Sequence, residues 1–415
     1  MRVAGYTELP YYKLSAILKI ADSQNTESVT QSILQAADRC VACGMCLPVC
    51  PSYQIAKQEA ESPRGRLSLI QAYLNGAIED SELLHEHLNH CLLCRSCEKI
   101  CPAKVPFASV MDRTQVRLSA TKKISFKKKL LLKCVENYRY LLLSERALRV
   151  SGLNWLFGKI GFGALFRYAT RLSKPVTLKE YYPATGQSHS TVALFIGCVQ
   201  PFFDAQSLGL TIRVLNQLGV NVHIPLQQAC CGAMHLHSGK EKTSNQLLLK
   251  NKQAFSECSV DANISLSSAC TVSLQESVID EMPAFIDLCT YLNQIKWYKH
   301  ADLVAVNVSV LLHIPCTQRN ILNNIKDLQD VLLQIPGLKM TEISAGCCGA
   351  AGTYMLDYPD WSQQIKSALI KDIDLTQYDC LVTSNIGCQL QLESDQLAVM
   401  QPVTLIARAL SIMKD

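Results

Sequence analysis

Eight cysteines stand in two copies of one spacing: Cys40, Cys43, Cys46 and Cys50 before Pro51, and Cys91, Cys94, Cys97 and Cys101 before Pro102. The run C-x2-C-x2-C-x3-C-P suits a cubane of iron and sulfide. Three thiolates two residues apart on a tightly turned backbone converge on three irons of one cube, while the fourth points away to a neighbouring one. By that logic Cys40, Cys43, Cys46 and Cys101 take one 4Fe-4S cluster, and Cys91, Cys94, Cys97 and Cys50 take the other. Each run then stabilises both sites, and the chain moves electrons. Structural zinc also accepts four thiolates, but its ligands usually come as two separated pairs rather than as a four-cysteine run with a trailing proline. Gly44 suits a turn that needs positive φ, and Pro51 and Pro102 stop any helix from continuing through the runs.

Twenty cysteines would signal a disulfide scaffold in a short secreted chain, but here they are spread over 415 residues in metal-ligand spacings. A reducing cytosol fits better, and the first twenty residues hold no uninterrupted apolar stretch like that of a signal peptide. No run of eighteen or more apolar residues occurs, so no membrane span is expected. A net charge of +5 is too modest at this length to argue for nucleic acid. One local excess stands out: Lys122 to Lys133, KKISFKKKLLLK, sets six lysines beside Ile124, Phe126 and Leu130 to Leu132. Such a segment is either an ordinary solvated helix or a basic amphipathic helix making peripheral contact with a membrane.

Residues 1–112 form a cluster-bearing head, with a helical insert between the runs from Gly65 to His90. Pro63 falls where a first helical turn tolerates a missing donor, and Leu67, Ile70, Leu74 and Ile78 recur at helical spacing. Arg64 and Arg66 either offset the charge of a thiolate-ligated cluster or are a solvated helix start. His85, His87 and His90 read as surface histidines on an exposed helix end. Residues 113–188 form a basic, helical connector that loosens into a linker at Lys174-Pro175 and Tyr182 to Gly186. Gly161 and Gly163 lack the third glycine of a dinucleotide loop, and no flavin or nicotinamide site is visible.

Residues 189–300 and 301–415 repeat one another. Cys198 matches Cys316, the pair Cys230-Cys231 before Gly232 matches Cys347-Cys348 before Gly349, and Cys270 matches Cys388. Each half opens on an apolar β-branched run, VALFIG or VSVLLHIP, and carries a short strand-like ISLSSA or CLVTSN before its last cysteine. Strands alternating with helices imply a parallel or mixed α/β sheet in each half, with the cysteines at the carboxyl ends of strands. Four thiols per half are a full ligand set: a further cluster, a redox-active thiol cradle or plain buried packing all suit cysteine. Cys134, Cys258, Cys289 and Cys380 have no partner at motif spacing and read as core.

Nearly the whole chain resembles the iron-sulfur subunit of bacterial glycolate oxidase, also called glycolate dehydrogenase. The resemblance rests on CVACGMCLPVCPSYQ from Cys40, SPRGRLSLI from Ser62, CLLCRSCEKICPAKV from Cys91, CCGAAGTY from Cys347 and TSNIGCQLQL from Thr383. It implies an α+β protein: an α-helical ferredoxin-like two-cluster head followed by a duplicated α/β cysteine-rich (CCG) domain. It implies a complex with flavin-containing subunits that oxidise glycolate to glyoxylate, this chain relaying electrons toward the quinone pool without a catalytic residue of its own. The expected place is the cytoplasm, peripheral on the inner membrane if the lysine segment touches lipid. A subunit of a D-lactate or other 2-hydroxy-acid dehydrogenase, or of a heterodisulfide-type reductase, would share most of these marks. The repeats are also similar to the CCG domains of heterodisulfide reductases, in which a C-x2-C ending helps to hold an unusual cluster. Here Ser267 and Asn385 stand three residues before Cys270 and Cys388, so each half lacks that fifth cysteine. The eight cysteines Cys198, Cys230, Cys231, Cys270, Cys316, Cys347, Cys348 and Cys388 are therefore a candidate, not an assigned, additional metal site.

Overall fold

The computed structural model describes residues 26–119, 125–136, 177–276 and 284–413. The first twenty residues, Lys122 to Ile124 of the lysine segment, the Gly161 and Gly163 pair and Lys174-Pro175 lie outside the described residues.

The head is helical. Helices Thr26–Ala37, Pro63–Leu74, Glu82–Asn89 and Phe107–Leu118 close around Ile33, Leu67, Ile70, Leu84, Leu88 and Met111. The insert between the runs starts where its sequence says: Ser62 caps the helix by accepting from Gly65 N at 2.9 Å, and Pro63 takes the first-turn position. It is two helices rather than one, because the chain breaks after Leu74 and Ser81 caps a second start at Glu82. Pro51 differs from expectation. It opens the short helix Pro51–Ala56, since a proline that ends one element lacks only a donor which the first turn of the next does not need.

The repeats are two α/β units. The first sheet runs β1-β3-β2-β4-β5, with β1 Tyr181–Tyr182, β2 Ser190–Phe195, β3 Val220–His223, β4 Ala262–Ser265 and β5 Phe285–Asp287. Only β1 is antiparallel, and it comes from the end of the basic connector. The second sheet, β7-β6-β8-β9, is wholly parallel: β6 Ser309–Leu312, β7 Lys339–Glu342, β8 Cys380–Val382 and β9 Val399–Met400. Equivalent strands hold equivalent places, Val192 of β2 pairing with Val222 and Ala262 as Val310 of β6 pairs with Met340 and Cys380. The apolar runs form the central strands, buried on both faces as parallel strands flanked by helices must be.

The two sheets share one core. Val192, Leu194 and Ile264 belong to the same buried cluster as Val310, Leu312 and Val382. Helix Ala205–Gln217 packs on Pro402–Ala409, and Leu288–Gln294 on Ile325–Leu333. Duplication here yields a fused body whose strand ends, and the cysteines after them, face the head.

Candidate metal centres

The two cysteine runs of the head repeat their backbone as well as their thiols. Ala42 and Leu93, each just before the second cysteine, both have positive φ (55° and 49°); so do Gly44 and Arg95, each just after it (82° and 58°). A left-handed conformation in Leu and Arg is uncommon and is sustained where surrounding structure fixes it. Alternation of this kind turns successive peptide N–H groups inward, a concavity suited to an anionic guest. Around the second run, Cys91, Cys94, Cys97 and Cys50 lie within electrostatic reach of one another. Cys46 of the first run faces Cys40 as well as Cys50. Burial pushes the Cys91 and Cys94 thiols up to about 12, with the Arg66 charge acting in the opposite direction on Cys91. Four soft, converging thiols in a concave, partly buried backbone fit an iron-sulfur cluster.

The arginines differ. Arg66 is fully buried and donates to Glu61 Oε2 (2.6 Å), Glu61 O (2.8 Å), Ser52 Oγ (3.0 Å) and His87 O (2.7 Å). Arg64 stands nearer the surface, pairs with Glu59 at 2.7 Å and donates to Ala42 O at 2.9 Å, bracing the first run. The reading of His85, His87 and His90 as exposed is corrected. His85 and His90 are buried; His87 and His90 both reach Glu61 Oε1, at 2.7 and 2.9 Å, and His90 stacks on Trp361 of the second repeat at 4.1 Å between centroids. Although burial works to raise it, Glu61 is held below the usual carboxylate range by bonds from His90 and His87 and by Arg66. Helical periodicity could not reveal this, since the partner carboxylate lies on a separate short turn.

In the first repeat all four matched thiols meet. Cys230 touches Cys198 and Cys231, and Cys231 touches Cys270. Bonds from Cys230 and then Cys270 pull Cys231 well below the ordinary thiol range. In the second repeat Cys316 meets Cys347, Cys347 meets Cys348, and Cys348 donates to Cys388 with sulfurs 2.9 Å apart. The turns are alike: Gly232 and Gly349 have φ of 82° and 86°, and each carbonyl accepts from a helix serine, Ser244 at 3.1 Å and Ser362 at 2.8 Å. Asn385 is occupied elsewhere. Its Oδ1 accepts from Gly387 N at 2.9 Å to cap helix Ile386–Leu392, and its Nδ2 donates to Ser268 Oγ of the other repeat at 3.2 Å.

One residue of the second set was missed from sequence. His313, directly after β6, is buried, and a ring nitrogen lies with the sulfurs of Cys348 and Cys388 in a group whose donor atoms are all within 4.8 Å of one another. Burial pushes His313 down to about 3, so its imidazole is neutral. Aligning FIGC, residues 195–198, with HIPC, residues 313–316, would have exposed it as the one titratable difference between otherwise apolar strand ends. Of the four unmatched cysteines, Cys289 and Cys380 are buried in the shared core, and Cys134 and Cys258 are half-buried.

The second run of the head sits against both repeats. Asn320 Nδ2 donates to Cys94 O (2.8 Å) and Ser96 Oγ (2.9 Å), Lys99 donates to Arg319 O, and Arg95 pairs with Glu276 of the first repeat. Cys94 lies within electrostatic reach of Cys316 and Cys347. Between head and repeats is a cavity of about 550 Å³, whose lining includes Cys91, Cys198, Cys231, Cys270, Cys316 and Cys388. The first run faces outward, with Cys43 exposed and Val41 and Met45 uncovered beside it. Among the described residues no helix is long and apolar enough to cross a membrane.

Residues 36–105 match the model of a 4Fe-4S dicluster domain, and residues 192–275 and 310–393 each match the model of a cysteine-rich domain, CCG. Together these cover more than half of the chain, which belongs to the iron-sulfur proteins that join a two-cluster head to paired cysteine-rich domains. Within that class it is a homologue of the glycolate oxidase iron-sulfur subunits. It is 28% identical over 420 residues to the glycolate oxidase iron-sulfur subunit of Escherichia coli (strain K12), covering 93% of this chain and 97% of that one. It is also 28% identical to the probable glycolate oxidase iron-sulfur subunit of Bacillus subtilis (strain 168), over 85% and 88% of the two chains. A component of the dihydromethanophenazine:CoB--CoM heterodisulfide reductase of Methanosarcina mazei is 22% identical over 95% of this chain and 99% of that one.

Proposed function

We propose that this chain is the electron-relay subunit of a glycolate oxidase, taking electrons from a flavin-containing partner that oxidises glycolate to glyoxylate and passing them toward the quinone pool. In this reading Cys40, Cys43, Cys46 and Cys101 hold one 4Fe-4S cluster, and Cys91, Cys94, Cys97 and Cys50 hold the other. When bound, each cluster accepts one electron at a time, whereas a 2-hydroxy acid gives up two, so paired clusters suit a stepwise exit from a flavin.

The observation that carries the reading is the order of the thiol sets. The first run lies at the surface with Cys43, Val41 and Met45 exposed, and the second, its four cysteines half-buried, stands against the repeats with Cys94 within electrostatic reach of Cys316 and Cys347. A surface site next to uncovered apolar side chains suits docking of a redox partner, and a site turned toward further thiols suits onward transfer. The protein's own levers on potential are Arg66 behind Cys91, Arg64 bracing the first run and Lys104 just after Cys101. The thiols of the two repeats are proposed to hold a further cluster, for which each half offers four converging sulfurs.

The test is reconstitution. The purified chain alone should reduce no acceptor with glycolate and should become competent only with its flavin partner; glycolate turnover by the chain alone would sink the proposal. Anaerobic iron counting separates the cluster numbers: about eight irons per chain means the head alone, and about twelve adds a third cluster. A D-lactate or other 2-hydroxy-acid dehydrogenase, or a heterodisulfide-type reductase, is favoured instead if the co-purified flavin partner turns over a different substrate. The length-wide similarity to a heterodisulfide reductase component keeps that second reading in view.

A further inference from the structure

The two thiol sets have the same four cysteines, yet the repeats differ at the residue three positions before the first of them. In the first repeat it is Phe195, which packs edge-on to Phe285 at 6.2 Å and tilted to Phe255 at 6.1 Å between ring centroids, an aromatic wall behind Cys230 and Cys231. In the second it is His313, which directly follows β6 where Phe195 ends β2.

A histidine buried at that position needs both ring nitrogens satisfied, because a buried polar atom without a partner is destabilising. Nδ1 lies 3.0 Å from Thr383 Oγ1, a hydroxyl that can accept its N–H. Nε2 is buried and has no hydrogen-bond partner among the described residues. His313 is only 1% exposed, and His313, Cys348 and Cys388 form a group whose donor atoms lie within 4.8 Å of one another. With the proton on Nδ1, Nε2 carries its lone pair, and an imidazole fixed by a bond at its other nitrogen is how metal-ligating histidines are oriented.

We propose that the repeats are chemically unequal: the second holds a mixed nitrogen and sulfur metal site in which His313 Nε2 is a ligand beside Cys348 and Cys388, and the first, walled by Phe195, has sulfur donors only. Imidazole with thiolates suits a borderline-soft first-row ion, iron or zinc. Thr383 is a positioning residue, holding the ring from behind. The inference rests on reading the second thiol set as a metal site.

The experiment uses the full chain purified anaerobically, with histidine labelled by 15N, and compares wild type with His313→Phe, Thr383→Val and Cys347→Ser. Iron and zinc per chain are counted, and pulsed electron paramagnetic resonance reads nitrogen coupling to paramagnetic iron. His313→Phe copies the residue of the first repeat, and Thr383→Val leaves the ligand in place while releasing it, so one soluble variant suffices. The expected result is loss of about one metal-binding equivalent in His313→Phe, a 10–100-fold weaker affinity in Thr383→Val, and an unchanged signal from the head. Loss of iron together with a 15N-sensitive coupling in wild type identifies iron; loss of zinc without it identifies zinc, and either supports the site. Metal lost in Cys347→Ser but retained in His313→Phe, with no histidine coupling in wild type, overturns the imidazole ligand while sparing the thiol site. No metal beyond that of the head in any variant overturns both.

Discussion

Arg66 donates to Ser52 Oγ across 3.0 Å, and that hydroxyl lies 3.3 Å from the Cys50 sulfur, so a fully buried guanidinium is joined to a cluster-run cysteine through one side chain. The same fork holds Glu61 and the His87 carbonyl, which ties the loop after the first run to the helix before the second. Geometry of this kind depends on a planar, multi-donor cation rather than on positive charge alone.

Arg66→Met should therefore destabilise the chain by about 3–5 kcal/mol, because Glu61 is left buried without its main partner. Arg66→Lys should recover part of that loss and keep the potential of the nearby site close to wild type, since the charge remains. Denaturant unfolding of the three proteins measures the first effect and a redox titration the second. Equal stability of wild type and Arg66→Met would show that the histidines alone support Glu61.

The turn at the cysteine pair of the second repeat is a backbone requirement. Gly349 has φ of 86°, and a Cβ there would lie 2.6 Å from the Ser362 carbonyl oxygen, a backbone atom that cannot swing aside. Gly349→Ala should cost about 1–3 kcal/mol and disturb the alignment of Cys347 with Cys348. Gly76→Ala is the matched control: its φ is 72° but among the described residues nothing lies within 4 Å of the added methyl, so only the backbone cost of about 1 kcal/mol applies. Thermal unfolding of both variants decides it, and equal losses would argue against the clash.

Much of this architecture can be read from cysteine spacing, because ligand chemistry fixes which residues converge whatever the intervening chain does. The runs at Cys40 and Cys91, the offset of the repeats and the central strands all follow from such regularities. What escaped is non-local. Glu61 gathers Arg66, His87 and His90 only because two helices cross over its short turn, and no periodicity in the insert records that crossing. His313 escaped for another reason: a histidine inside VSVLLHIP reads as one polar interruption of an apolar strand until it is set against Phe195. The fusion of the two sheets into one core is likewise invisible to a search for separate domains.

Asn320 joins the second cluster run to the second repeat, donating to Cys94 O and Ser96 Oγ. Asn320→Ala removes both bonds and should cost about 1–2 kcal/mol. The more specific outcome is local: amide exchange across residues 94–100 should quicken while that of the helix Thr26–Ala37 stays as it was. Unchanged exchange in the run would mean that Arg95 with Glu276 and Lys99 with Arg319 hold this contact without it.

Helix Phe126–Glu136 sets Phe126, Lys129, Leu130 and Lys133 at spacings of three and four, and all four are exposed. Two apolar and two cationic side chains on one helical face, with Lys128 drawn aside to Asp357 at 2.8 Å, suit the surface of an acidic bilayer. Binding to vesicles of mixed neutral and acidic lipid should be measurable by sedimentation and should weaken as salt rises, since each lysine near such a surface contributes about 1 kcal/mol by electrostatic attraction. Lys129→Glu with Lys133→Glu should abolish it, and Phe126→Ser should reduce it by removing buried apolar area without altering the salt dependence. Equal sedimentation with neutral and acidic vesicles, or none with either, would assign this face to a solvated helix.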